Sequence, residues 1–429
     1  MRPFPGLILF WQSTHLLPLP RCRGRRQGEG ERYSVEHWKR TLYTLWAAEF
    51  LAALGMALVL PFLPFYIREL GINEVTEVKK WSGLIFSAPF LVATFTTSLW
   101  GWLGDRYGRK PMLIRALFGF AVSTLLMGFA QTVQHLFVLR LLQGGVAGFI
   151  AASLAIVSTS TPRKYMGFAM GVLQTSLTTG AIIGPFFGGL LADRIGYRNI
   201  FFVTGGLGML AGTLVFFLVH EKQDAAKTKL AGGWISNYRF VFTSPTLGVI
   251  FVISLLTQFA IMSIQPVLSL FVERLWPTTK NLATVAGAVF AVTGLASLLS
   301  APYWGRKADR LGYRRALSIT LLGTGITFIP QALVSRVYQL IFLRFFHGLF
   351  SGGILPALNT LTTLNVPEER RGGVLGVARS GFMLGSVLGP ICGGYLSASL
   401  SIRPLFVLMG LVLVATAFGA SRAIKEPRI

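Results

Sequence analysis

Acidic residues are scarce in this chain of 429: 16 Asp and Glu stand against 40 Lys and Arg, and charged residues of both signs make up only 13%. Cysteine is scarcer still, with Cys22 near the start and Cys392 in an apolar stretch, which excludes a disulfide framework and a cysteine-based metal site. No Gly-x-x-x-x-Gly-Lys-Ser/Thr segment occurs, so the phosphate loop of an ATP-driven pump is missing. Neither zinc-ligand spacing nor a Ser/His/Asp constellation stands out; the reading is not an enzyme, with no cofactor and no metal. "GLGMLA", Gly206 to Ala211, fits a Gly-x-Gly-x-x-Ala nucleotide fingerprint, but it lies in an apolar run with no strand before it and reads as packing.

What the chain has in abundance is hydrophobic residue, 53% of the total. Runs of about 20 apolar residues, enough to cross ~30 Å of hydrocarbon, recur along its length. Hydropathy predicts twelve spans, near 41–66, 81–103, 112–131, 136–158, 166–191, 199–219, 246–271, 283–304, 315–334, 338–360, 373–396 and 402–420. The expected organisation is a disordered cytoplasmic tail over 1–40, a six-helix bundle over 41–219, a cytoplasmic linker over 220–242, a second six-helix bundle over 243–421 and a cytoplasmic tail over 422–429. "GLILFW" in the first 40 residues is too short to span and poorly matches a signal peptide. The net charge of +24 would suit nucleic acid in a soluble protein. Here the Lys and Arg collect in alternate connections, including Arg106/Arg109/Lys110, Arg163/Lys164, Lys222 to Arg239 and Arg306 to Arg315. This positive-inside bias places both termini in the cytoplasm and excludes nucleic acid as a partner.

The chain also repeats itself. "GAIIGPFFGG", Gly180 to Gly189, returns as "GSVLGPICGG", Gly385 to Gly394, 205 residues later. "GWLGDRYGRK", Gly101 to Lys110, is answered by "GRKADRLGYR", Gly305 to Arg314, and "LFVLRLLQG", Leu136 to Gly144, by "LIFLRFFHG", Leu340 to Gly348, both at an offset of 204. Three elements in one order at one offset imply duplicated halves, an architecture of many secondary transporters.

These residues resemble the major facilitator superfamily over about 41–420. Gly101 to Lys110 looks like its signature loop, Arg140-x-x-Gln143-Gly144 like its fourth-span arginine motif, and Gly180 to Leu191 like its fifth-span antiporter motif. "LGMALVLPFLP", Leu54 to Pro64, is similar to the first-span pattern of the twelve-span drug:proton antiporters, and the order and wording resemble bacterial multidrug efflux proteins of that group. The resemblance implies an all-α membrane protein with twelve transmembrane helices in two pseudo-symmetric six-helix bundles, sited in the cell inner membrane. It departs from some drug antiporters at Ala57, where they carry a further acid two turns after the first.

Glu49 is the one acid well inside a predicted span, about 12 Å into the layer at ~1.5 Å per residue. An intramembrane carboxylate must be protonated, paired or hydrated, so Glu49 is the candidate for proton or cationic-substrate binding; a snorkelling boundary residue is the other reading. Arg140 matches the family arginine associated with proton coupling, against a packing role, and its depth puts it nearer the outer side than Glu49. Asp105 and Asp309 end spans two and eight, where each carboxylate can meet the positive end of span eleven or span five and close an inner gate. Arg106, Arg109 and Lys110 beside them serve at least as topology signals. In the glycine-proline motif, Gly184 with Pro185 and Gly389 with Pro390 permit close approach and bending where the halves rock, or form an ordinary small-residue seam.

Gln258, Met262, Gln265 and Ser269 recur at helical spacing in span seven, as a cavity wall or as a structural stripe. Arg344, His347 and Ser351 share a helix face. Arg379, whose first-half counterpart is Gln174, is open to pairing with an acid, to an anionic ligand or to snorkelling. The resulting expectation is a monomeric efflux transporter that exchanges small amphipathic cationic or neutral drugs for protons across a lipid bilayer. A dedicated exporter of one metabolite or organic anion is the alternative, and a membrane sensor or scaffold is a different class. Sugar uptake is disfavoured by the short central link and by "HEKQDAAK" and "AIKEPRI" after spans six and twelve.

Overall fold

The computed structural model describes residues 27–220, 234–367 and 370–424. The elements are α1 (Gln27–Leu58), α2 (Leu63–Glu69), α3 (Val75–Tyr107), α4 (Arg109–Gly128), α5 (Val133–Gly145), α6 (Phe149–Ser160), α7 (Met166–Ile195) and α8 (Tyr197–Leu218) in the first half. The second half contains α9 (Trp234–Thr243), α10 (Pro245–Leu275), α11 (Leu282–Leu311), α12 (Tyr313–Phe328), α13 (Val337–Ser351), α14 (Ile354–Leu364), α15 (Arg371–Leu400) and α16 (Ile402–Ala423). Among the described residues, ten stretches are long and apolar enough to cross a membrane. Of the two remaining expected spans, the second is the apolar middle of α3, whose ends carry charge. The ninth is α12, short at 16 residues and continued by a 3₁₀ turn over Ile329–Ala332.

Three expectations need correction. The tail set at 1–40 is helical from Gln27, because the polar run preceding Trp38 extends the first span's helix; residues 1–26 lie outside the described residues. The linker set at 220–242 contains α9, whose Tyr238 hydroxyl lies 3.1 Å from Ser380 Oγ of α15; residues 221–233 are not described. The final tail set at 422–429 begins later, since α16 continues to Ala423; residues 425–429 are not described.

Two predicted spans are broken. The fourth consists of α5 and α6, parted at Val146–Gly148, and the tenth of α13 and α14, parted at Gly352–Gly353. A break inside a bilayer leaves carbonyls that must find donors. Trp100 Nε1 donates to Gly145 O (2.6 Å) and Trp304 Nε1 donates to Leu349 O (2.7 Å), equivalent positions in the two halves. A hydroxyl from the same helices, Thr96 or Ser297, donates to Gly144 O or Gly348 O. The Arg115 guanidinium lies 3.4 Å over the Trp100 ring and donates to Ala147 O.

The halves pack alike: α1 on α7 as α10 on α15, α4 on α8 as α12 on α16, and α3 on α5 as α11 on α13. Between halves, α7 lies on α11 and α15 on α3. The glycine-proline motif serves both kinds of contact from two faces of one helix. Gly180, Gly184 and Gly188 press α7 against the backbone of α1, as Gly385, Gly389 and Gly393 press α15 against α10. Pro185 and Gly189 face α11, where Gly287 and Ala283 meet them, and Pro390 and Gly394 meet Gly83 and Lys79 of α3. At most of these glycines a Cβ would fall under 3.0 Å from a neighbouring backbone atom, so the helices approach as closely as chains can.

The inter-half polar contacts collect at the end opposite the start of α1 and the end of α16, here termed the distal end. Arg68 Nη1 pairs with Glu273 Oε1 at 2.5 Å, Lys79 Nζ donates to Ser397 O at 2.8 Å, and Asp193 of α7 accepts from the first residues of α11.

Candidate functional site: buried charges of the two bundles

Glu49 sits in the middle of the apolar part of α1, Trp38–Leu58, and is 1% exposed. Its Oε2 accepts from Ser176 Oγ of α7 at 3.2 Å, while its Oε1 has no hydrogen-bond partner among the described residues. Ser153 of α6, wholly buried, is a second hydroxyl beside the carboxylate. The three residues come together because α1 lies in the groove between α6 and α7, where glycine and serine keep the neighbouring helices near. An acid held by neutral hydroxyls, with one oxygen left over, is equipped to hold and release a proton or to meet a cation.

Arg140 is not its partner. Arg140 Nη1 donates to Gln143 Oε1 at 3.1 Å, and Gln143 Nε2 donates to Thr124 Oγ1 at 2.9 Å. This chain lines a narrow cleft with Gly55, Met56 and Val59 of α1, Phe201 and Thr204. The nearest of those α1 residues, Gly55, lies six positions beyond Glu49, about 9 Å along the axis at ~1.5 Å per residue. The two groups therefore occupy different levels of the first bundle.

Among the described residues, the second bundle has no such chain. Arg344 is 4% exposed, with Nε and Nη2 unpartnered among the described residues, and its guanidinium lies 5.9 Å from the Phe328 ring and 5.8 Å from that of Phe406. Phe328 and His347 occupy the positions that Thr124 and Gln143 hold in the first half. Buried His347 packs edge-on to Phe328, ring centroids 4.5 Å apart, and its Nδ1 is unpartnered among the described residues. Rings thus replace hydrogen-bonding side chains around the repeated arginine.

In span seven, Gln258 is buried and donates through Nε2 to Ser386 Oγ of α15 at 3.0 Å, tying two helices of one bundle. Met262 and Gln265 are half-buried, and Met262 also lies against Gly389. Arg379 is exposed on α15, as its counterpart Gln174 is on α7. At the proximal end, the Asp105 side chain lies outside the described residues, and exposed Asp309 accepts from Tyr313 of its own half. Arg106 stacks over Trp102 and Tyr107; Arg109 donates to Ala155 O, and Lys110 to Phe216 O. Lys110 and its counterpart Arg314, which donates to Ile424 O, meet the negative ends of α8 and α16. Sequence reasoning passed over Ser153, Ser176, Trp100, Trp304 and Asp193. The tryptophans were legible as a Trp-Gly pair recurring at an offset of 204; the serines carried no signal.

A family model, the Major Facilitator Superfamily, matches residues 45–282 and 276–428. The chain belongs to the Major Facilitator Superfamily. A protein named multidrug resistance protein MdtG from Salmonella dublin is 36% identical over 399 residues, covering 92% of this chain and 97% of that protein. Its namesake from Salmonella arizonae matches at the same identity and coverage. Among solved structures, a bacterial homologue of the human lysosomal transporter Spinster superposes with a TM-score of 0.76 at 15% identity, covering 90% of this chain and 97% of that one. The nucleoside transporter NupG gives a TM-score of 0.75 at 13% identity, covering 90% and 100%. The protein is thus a multi-pass membrane transporter and not an enzyme, with the all-helical two-bundle fold of the superfamily.

Proposed function

We propose that this transporter exports small amphipathic drugs, cationic or neutral, in exchange for protons by alternating access. It does so as a monomer in the cell inner membrane with both termini cytoplasmic. The observation that carries the reading is Glu49: a carboxylate 1% exposed, held by a hydroxyl on another helix and with one oxygen unpartnered among the described residues. The name of the relatives at 36% identity supports drugs as the cargo. With both termini cytoplasmic, closure of the distal contacts would leave this state to open toward the cytoplasm, where a drug enters. Proton and drug need not touch one another; each has only to favour a different state. Pro185 and Pro390, each with a glycine stripe beside it, give the two helices along which the halves tilt, and Asp105 with Asp309 would hold the proximal end in the opposite state.

The test is efflux of a cationic dye from proteoliposomes under an imposed proton gradient. Wild type moves the dye, and Glu49→Gln, which cannot take up or release a proton at this position, loses gradient-driven movement. Normal transport by Glu49→Gln overturns the coupling site, and no dye movement by wild type overturns the drug reading. A second reading, an exporter of an organic anion or a single metabolite, is favoured by Arg344, whose buried guanidinium lacks an acid partner among the described residues. Anionic dyes in the same vesicles, with Arg344→Gln, decide it.

A further inference from the structure

The pattern small-Asp-Arg-x-Gly-x-Arg/Lys, which surrounds both Asp105 and Asp309, occurs a third time. It reads Gly104 to Lys110, Ala308 to Arg314, and also Ala192 to Arg198, "ADRIGYR", which differs from "ADRLGYR" of the second half by one methyl-branch position. The three copies build one local structure. Each ends a long helix at a glycine with positive φ, 98° at Gly108, 83° at Gly196 and 86° at Gly312, and the next helix starts at once. Only the middle copy lies at the distal end, and its offset from the others is not that of the duplication.

Asp193 of this copy makes the contact expected of its relatives. Its Oδ1 accepts from Ala283 N at 3.2 Å, and its Oδ2 from Thr284 N at 2.8 Å and Thr284 Oγ1 at 2.6 Å. Ala283 and Thr284 are the second and third residues of α11, and Asn281 before them, at φ 59°, makes no side-chain cap. Helix α11 therefore lacks a cap of its own, and a carboxylate from the other half supplies one. The first amides of a helix carry its positive end and need acceptors, so a carboxylate there is held by charge as well as by hydrogen bonds. The contact exists only while α7 and α11 are together at the distal end. The repeat does not reproduce it: Ala398 occupies the counterpart of Asp193, and on that side Lys79 Nζ reaches the carbonyl of Ser397 near the end of α15.

We infer that Asp193 is a distal-gate residue, which holds the transporter closed at that end by capping α11 across the two halves. The inference rests on alternating access but not on the cargo. It makes Asp193 a positioning residue for the transport cycle: when the gate opens, α11 loses its cap and the carboxylate gains water. Loss of the charge then shifts the population toward the distal-open state and weakens the preference for the state described.

The test measures distances between spin labels in detergent or nanodiscs, with Cys22 and Cys392 replaced by serine. One pair is at Gln131 and Ser335, exposed at the distal end, and the other at Lys164 and Leu364, exposed at the proximal end. Asp193→Asn should raise the distal-open population about tenfold, as expected for loss of a charge-assisted contact. The distal distance should lengthen as the proximal one shortens, a reciprocal change that loosened folding does not give. Thr284→Val should shift both in the same direction by less, and the two substitutions together by less than their product, because they break one contact. Asp193→Glu should restore part of the closed population. Unchanged distances in both Asp193→Asn and Thr284→Val overturn the inference; if Asp193→Asn does not fold, Thr284→Val alone decides. The distances are read without drug, so their outcome stands whether or not the protein moves a dye.

Discussion

Arg140 and Arg344 began as copies of one residue, and their surroundings have since diverged. Arg140 has an acceptor in Gln143, which is itself held by Thr124, while Arg344 has aromatic rings and histidine in the same places. A buried ion without an opposite charge carries a desolvation cost of several kcal/mol that nothing offsets, and an apolar side chain removes it. Arg344→Met should therefore leave the detergent unfolding temperature unchanged or raise it. Arg140→Met strands the Gln143 carbonyl and should lower stability by about 1–3 kcal/mol. A thermal melt of both variants checks the contrast; equal losses would mean that Arg344 has partners of its own. Glu49 was legible because a lone acid in an apolar run has few explanations. Asp193 carried a signal in the third copy of the Asp-Arg-x-Gly pattern, but its task was hidden, because its partner is α11, 90 residues further on. Ser176 and Ser153 were silent for a related reason: serine is common in membrane helices, and proximity to Glu49 is a property of packing.

At the scale of the helix, one ten-residue motif performs two separate jobs, and single glycines distinguish them. A Cβ at Gly188 would collide with the backbone of Leu58 in its own half and one at Gly189 with that of Ala283 in the other, whereas one at Gly206, outside the motif, meets nothing within 4 Å. Gly206→Ala should accordingly gain about 0.5–1 kcal/mol, the usual preference of a helix for alanine. Gly188→Ala should reduce the yield of folded protein in gel filtration, since α1 and α7 cannot separate without opening the first bundle. The breaks in the fourth and tenth spans predict a further pair: Trp100→Phe and Trp304→Phe each remove a donor from a stranded carbonyl and should each cost about 1–3 kcal/mol. Those breaks were hidden from the sequence. Hydropathy counts apolar residues and does not register a turn made by Gly148 at φ 122°, nor the ring nitrogen from a neighbouring helix that makes the turn tolerable. The early start of α1 was missed because its polar composition looks alike in a helix and in a loop, and α9 because its ten residues are too few to register as a span. The rest of the architecture was legible: the offset of 204 to 205 identified the halves, and the same offset reappears in their contacts.

For the whole molecule, the distal closure is a set of contacts arranged about a pseudo-two-fold axis, and the ion pair Arg68–Glu273 stands on it. Its members are 205 residues apart, which is the repeat offset itself. The surrounding segments align as well, Pro61 with Pro266, and Arg68-Glu69 with Glu273-Arg274, the same two residue classes in reversed order. A partly exposed pair of this kind is worth about 0.2–1 kcal/mol, enough to bias an equilibrium that must remain reversible. Arg68→Glu should open the distal end, measured by the Gln131–Ser335 spin-label distance, and adding Glu273→Arg should close it again. If the double exchange fails to restore closure, the pair contributes through shape and not through charge.

A residue on a two-fold axis faces its own image. Had each half kept the same side chain there, two arginines or two glutamates would meet whenever the gate shut, so a molecule assembled from two identical halves would resist its own closed state. Exchange of charge at this one place lets a duplicated gene close on itself. It also ties the halves into an ordered pair: the first bundle fits the second at this position but repels another copy of itself.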